Sequence, residues 1–419
     1  MRRNLLFAAS VGSAKSVLCV VLWGLACLQA TFLLPYVVLV PGDRTNLFTA
    51  VIVSLPGIAL AASRSGAIGW ASVVPWLLLA AGLVASACVS PDPFASTMRG
   101  VAFWLPAASG LFCAYELSRY PSAKTIFFTV FSLCFAGLTV AHLVFGSYPS
   151  FLGFHHHALA GALLLLAAGP IYYLFTGSIV WRLVAGSLLV LGYVVCFLAG
   201  SRFTILLPFI LIPTMVFLLR ISWRWAIAGL AASTVIAAIF FAVFPVKVMK
   251  YTNYESTFYR VEGVPAAIEI MKQHPWLGIG IRTPRREYLE HFDPPFGSAD
   301  KETFLSVVDI NITSDNQYLS LPVGIGIPFA LLYFGLISNG LLAYLRRAKR
   351  GEVDSGTERA LTFALLATLA HFLIYDGLFY PQISWFFHLL LGVAVYSLKP
   401  SAESRPLYQD NDNKLDTLT

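Results

Sequence analysis

Apolar runs of about twenty residues recur along this chain, and they leave it few ways to fold. A hydrocarbon core about 30 Å thick is crossed by about 20 helical residues. That ruler finds about twelve spans, at 17–40, 46–62, 67–90, 98–116, 124–146, 153–175, 179–199, 203–220, 224–246, 318–345, 358–378 and 382–398. Barrel strands alternate polar and apolar positions, whereas these runs are continuously apolar, and in lipid only helices and closed barrels satisfy their own backbone. The sequence therefore predicts an all-α integral membrane protein. Its 12% charged and 58% hydrophobic residues agree, since soluble domains carry about 25% charge. The net charge of +7 punctuates apolar runs rather than forming a solvated patch, which argues against a nucleic-acid partner. Cys19, Cys27, Cys88, Cys113, Cys134 and Cys196 lie inside apolar stretches without metal-type spacing and read as small core hydrophobes. The first run lacks a small-x-small cleavage site and reads as a span, not a signal peptide.

Lys and Arg set the orientation. With the N-terminus inside, 17 of the 28 fall in inner segments, and the short outer connections hold only Arg44, Arg99 and Arg202. The other eight lie in one long outer stretch, 247–317, between the ninth and tenth spans, where the rule does not count them. The expected layout is thus spans one to nine over 1–246, an outer loop domain over 247–317, spans ten to twelve over 318–398, and an inner, disordered tail over 399–419, with both termini inside. Within the loop, Ser256 to Gln273 reads as an amphipathic helix with Val261, Val264, Ile268 and Met271 on its apolar face, ended by His274-Pro275. Pro265 argues against one straight helix.

The loop is the one place with room for aqueous chemistry. Arg202, in Gly200-Ser201-Arg202 at the outer start of the eighth span, reads either as a snorkelling helix-end arginine or as a functional group that opposes the charge bias. With Arg260 it would supply two planar guanidinium forks suited to phosphate oxygens at the membrane boundary. His142, His371, Asp376 and His388 place ionisable groups within spans, which defaults to a functional hypothesis. His155, His156 and His157 diverge by about 100° each on a helix, so a zinc site is not favoured. Gly278-Ile279-Gly280 beside Arg282 reads as a turn or a small anion nest.

From Arg260 to Gly280 the chain runs RVEGVPAAIEIMKQHPWLGIG. This resembles the arginine-led helix and His-Pro-x-x-Gly-x-Gly turn in the outer loop of the O-antigen ligase and O-antigen polymerase superfamily. Those proteins have about a dozen spans, a large periplasmic loop between the ninth and tenth, and a His-Asn-x-Tyr-Leu element before the tenth. Here the matching element is Asp315-Asn316-Gln317-Tyr318-Leu319, and Gly-Ser-Arg at Arg202 matches the family's other outer arginine. The resemblance follows the whole topology but is sharp over only about 60 residues; the order and placement of the motifs carry it.

The resemblance implies a bacterial inner-membrane glycan transferase with a periplasmic site, a polyprenyl-diphosphate-linked glycan as donor, an acceptor glycan hydroxyl, and no cofactor or metal. On that reading Arg202 and Arg260 bind the diphosphate leaving group and Asp315 takes the acceptor proton. Asn316 and Tyr318 position the acceptor, and Arg282 and His274 complete the binding residues. The chain departs from the family at Asp315, where the ligases and many of the polymerases carry histidine. An aspartate accepts the same proton, provided burial raises its reference pKa of about 3.9. Ser314, Asp315 and Asn316 are also all good helix caps, so a capping role for Asp315 stands beside the catalytic one. The acceptor divides three readings: polymerase, favoured by Asp-Asn in place of His-Asn, ligase onto lipid A core, and protein O-oligosaccharyltransferase. A secondary transporter or flippase is the alternative class.

Overall fold

The computed structural model of the protein describes residues 43–62, 70–118, 123–145, 156–199, 223–243, 254–281 and 316–396, together with Gly24. Every regular element among them is a helix. In chain order these are α1 (Asp43–Ala62), α2 (Trp70–Val89), α3 (Pro93–Leu117), α4 (Ala123–Phe145), α5 (His156–Leu166), α6 (Ala168–Thr176) and α7 (Ile179–Ala199). Then follow α8 (Trp223–Val243), α9 (Tyr254–Gln273), α10 (Gln317–Ile325), α11 (Ile327–Lys349), α12 (Ser355–His371), a 3₁₀ turn (Gly377–Phe379) and α13 (Pro381–Tyr396). Among the described residues five helices are long and apolar enough to cross a membrane: Pro93–Leu117, Lys124–Val144, Ala158–Thr176, Ile179–Ala199 and Ile327–Lys349. Leu47–Leu60, Val73–Val89 and Pro381–Tyr396 are shorter apolar helices. Apart from Gly24, the expected first span, the eighth and the tail after Lys399 lie outside the described residues.

Local chemistry sets where the helices begin. Asp92 caps α3 by accepting the Ala95 N–H at 3.0 Å, with Pro93 in the first turn, where its missing N–H costs nothing. Asp354 caps α12 through the Thr357 N–H at 3.0 Å. Inside the bundle α3 lies between α1 and α13. Helices in lipid gain little from hydrophobic burial against each other, so close packing through small residues carries more of the association. At Gly110 a side chain would come within 2.6 Å of the Trp385 carbonyl, and this missing Cβ lets α13 lie directly on α3. Trp385, Phe103, Phe131 and Phe386 fill the space around that contact and are fully buried.

Two expected spans are interrupted, the first only slightly. The run 153–175 divides into α5 and α6 at Ala167, whose backbone stays helical (φ −58°, ψ −19°), so that Ala158–Thr176 still makes one crossing; Pro170, just beyond, has no N–H to give to the Leu166 carbonyl. The run 318–345 divides into α10 and α11 at Gly326, whose φ of +83° is a left-handed conformation that favours glycine. Hydropathy sees both runs as continuous because a break changes the backbone path without changing the side chains.

The bundle has two chemically different ends. At one, Lys124 at the start of α4 pairs with Asp354, Arg347 pairs with Glu352 at 3.0 Å, and Arg347 also reaches the Val395 carbonyl at 3.1 Å. At the other lie the start of α3, the end of α2, α9 and α10.

Candidate active site

The segment Asp315 to Leu319 enters the structure at Asn316. Asn316 sits in extended backbone (φ −141°, ψ 109°), and its side chain accepts the Tyr318 N–H at 3.0 Å, so Asn316 is the cap of α10. The capping role considered for Asp315 therefore falls one residue later. Asp315 itself lies outside the described residues, as do Arg202 and Arg282. Tyr318 is half-buried and donates its hydroxyl to the Leu369 carbonyl at 2.9 Å, tying the start of α10 to α12. Gln317, fully buried, donates its N–H to the Phe372 carbonyl at 2.9 Å and accepts the Leu378 N–H on its side-chain oxygen at 2.9 Å. One turn on, the buried Ser320 hydroxyl donates to Asp376 at 2.9 Å. The start of α10 is thus bolted to the turn between α12 and α13.

The other end of α10 is held by the His274–Ile281 turn. A helix ends with unpaired carbonyls that must find donors when buried. Here the Ile279 N–H goes to the Val323 carbonyl at 3.0 Å, the Gly280 N–H to the Gly324 carbonyl at 2.9 Å, and the Ser86 hydroxyl also to Gly324 at 2.5 Å. Past the break, the Ile327 N–H that opens α11 finds the Pro275 carbonyl at 2.9 Å. Gly278, with φ +64°, lets this turn meet the Val323 and Gly324 backbone, where a Cβ would collide. The His-Pro-x-x-Gly-x-Gly motif is therefore the plug of a broken helix. It is not an anion nest: the Gly278, Ile279, Gly280 and Ile281 amides all donate to protein acceptors, the last to Ser96 Oγ at 3.1 Å.

Upstream of the turn, α9 runs unbroken from Tyr254 to Gln273 through Pro265, so the proline does not divide it. Its buried face is Gly263, Ala266, Ala267 and Ile270, packed with Ile279 and Val323. Of the face expected from the larger apolar residues, Met271 packs half-buried against this cluster and Val264 is half-buried, whereas Ile268 is 42% exposed. Small side chains win the contact because they let α9 lie close along α10. The backbone position of Arg260 is about two turns before Ala267 on the same helix. His274 ends α9 with its side chain exposed, next to Trp276, which is 74% exposed.

Sequence reasoning missed Gln317, Ser320 and Arg99 as parts of this region. Arg99, half-buried on α3, directs a guanidinium N–H toward the Ile281 carbonyl at 3.5 Å, just beyond Ser96. The signal was present as a Ser-x-x-Arg spacing that puts both side chains on one helix face. Of the intramembrane ionisable residues, His388 is committed to packing: its ring nitrogens meet Tyr333 Oη at 2.9 Å and the Ser384 carbonyl at 2.6 Å. His371 is fully buried, its ring 5.3 Å from that of Tyr375. His156 and His157 open α5, and no group of three potential metal ligands gathers among the described residues.

A helical bundle with several helices fit to cross a bilayer, and a broken helix plugged by a neighbouring loop segment, defines a multi-pass membrane protein. Residues 186–334 match the family model of the O-antigen ligases, a stretch that runs from α7 into α11 and takes in Arg202, Arg260, the glycine turn and Asp315-Asn316. The match bears out the resemblance to the O-antigen ligase/polymerase superfamily and the class of membrane glycan transferases. No curated protein matches the chain.

Proposed function

We propose that this protein transfers a glycan from a polyprenyl diphosphate to an acceptor hydroxyl, as a surface-polysaccharide polymerase of the bacterial inner membrane working on its periplasmic side. The observation that supports the reading most is the family match over 186–334, because it covers every residue assigned a role. The packing supports it too, since α9, which bears Arg260, lies along the helix that begins after Asp315.

In this mechanism the lipid diphosphate is the leaving group. Arg202 and Arg260 hold it and stabilise the negative charge that grows as the glycosidic bond lengthens, with Arg282 and His274 as further contacts to the donor. Asp315 takes the proton of the attacking hydroxyl, and a single displacement inverts the anomeric carbon. Asn316 and Tyr318 contribute by holding the start of α10 in place behind the base. The aspartate in place of the ligases' histidine favours a second lipid-linked glycan as acceptor over lipid A core or a protein hydroxyl. The transporter alternative draws some support from the break at Gly326, but the Val323 and Gly324 carbonyls just before this break accept from the protein's own Ile279, Gly280 and Ser86.

Arg202→Ala and Arg260→Ala should each abolish transfer while the protein remains folded in the membrane, and Lys should rescue poorly because it lacks the bidentate fork. Transfer should persist in chelator. Native activity in either alanine variant would reduce that arginine to a snorkelling side chain.

A further inference from the structure

The end of the bundle away from the candidate active site carries an arrangement that glycan transfer does not use. Three cations surround the turn that joins α6 to α7. Lys124 Nζ lies 5.6 Å from the centre of the Tyr172 ring, and the Arg359 guanidinium lies 4.4 Å over Phe175. Arg182 Nε donates to the Gly177 carbonyl at 2.9 Å, two residues past Phe175. Both guanidinium groups thus lie against the turn, Arg182 through its Nε and Arg359 over the face of Phe175. Lys124 shares its charge with Asp354, and Glu358 moderates Arg359. Among the described residues neither Arg182 nor Arg359 forms an ion pair.

The surroundings say what kind of anion this suits. Tyr173 and Trp181 face each other with ring centres 6.0 Å apart, and Trp181 is 57% exposed. Arg182 is flanked on α7 by Ile179, Val180, Leu183 and Val184, all more than half exposed. Exposed aliphatic side chains on a spanning helix face acyl chains, and Trp and Tyr mark headgroup depth. A free phosphate would draw nothing from such a wall, whereas a lipid would use it and the cations together.

We infer that the α6–α7 turn is the headgroup seat of an anionic phospholipid, with Arg182 and Arg359 on its phosphate and the outer face of α7 against its chains. The experiment is native mass spectrometry of delipidated protein titrated with short-chain phosphatidylglycerol, with phosphatidylcholine and glycerol 3-phosphate as controls. Phosphatidylglycerol should be retained over both controls. Arg182→Gln and Arg359→Gln should each weaken it about fivefold, the worth of one basic residue near a charged headgroup. Arg350→Gln, at the same end but 70% exposed on its side chain and apart from the turn, should leave it unchanged. If Arg359→Gln does not fold, Arg182→Gln on the exposed helix face carries the test. Equal retention of phosphatidylcholine overturns the proposal, as does equal binding of glycerol 3-phosphate, full affinity in the Arg182 variant, or an equal loss in Arg350→Gln.

Discussion

Asp315 and Asn316 stand side by side, and the structure separates what they can be doing. Asn316 supplies the cap oxygen of α10, so replacing it with Ala should lower stability by about 1 kcal/mol, read as a lower melting temperature in detergent. Asp315→Asn leaves that cap in place and removes only the proposed proton acceptor. It should keep its melting temperature and lose transfer by a factor of about 10² to 10⁴. An active Asp315→Asn variant would contradict the assignment and move the search to His291 or Asp309 in the same loop. The sequence made the element visible through its Asn-x-Tyr-Leu pattern, but three adjacent good caps, Ser314, Asp315 and Asn316, look alike in a string of letters. Only the backbone, extended at Asn316 and helical from Gln317, decides among them. Gln317, Ser320 and Asp376 were obscure for a related reason: their bonds join residues about sixty positions apart.

Helix ends and breaks were harder to read than helices. The ruler of apolar length located α7 over the same residues that the structure gives it, and α4 within one residue at each end. It merged α10 with α11, although Gly324, Gly326 and Pro328 stood in the run, because hydropathy has no term for backbone direction. At Gly326 a side chain would meet the Trp276 carbonyl, a backbone atom that cannot rotate away, and φ is +83°. Gly326→Ala should therefore destabilise the protein by about 2 kcal/mol or more, combining left-handed strain with the clash. Gly335→Ala, in the interior of α11 with open space around it, is the control and should cost nothing. Equal melting temperatures for the two variants would mean that the break does not depend on that glycine. The face of α9 was legible only in part, because Ala266, Ala267 and Ile270 make the contact with α10 and Met271 packs beside them, while Ile268 is exposed.

Charge distribution is the property of the entire chain that the sequence conveyed most directly. Basic residues assigned to the inner side by their loops, Lys124, Arg182, Arg347 and Arg359, meet at one end of the bundle, and the proposed site elements meet at the other. The proposed orientation makes a simple prediction. Cysteines introduced at Ser298 and Ser355 should be labelled by a membrane-impermeant thiol reagent from opposite sides, Ser298 from outside; labelling of Ser355 from outside would put the proposed chemistry in the wrong compartment. What the letters alone could not convey is the acceptor, since the polymerase, ligase and protein-transferase readings all assign the same two arginines and a base at the same position. Reconstituted into liposomes with a polyprenyl-diphosphate-linked glycan and nothing else, the protein should consume that donor and release polyprenyl diphosphate. The products should be longer chains still carried on the lipid diphosphate. A donor that is left intact under these conditions, and is consumed only when lipid A core or a protein acceptor is added, would contradict the polymerase reading; a donor left intact with every acceptor would contradict glycan transfer itself.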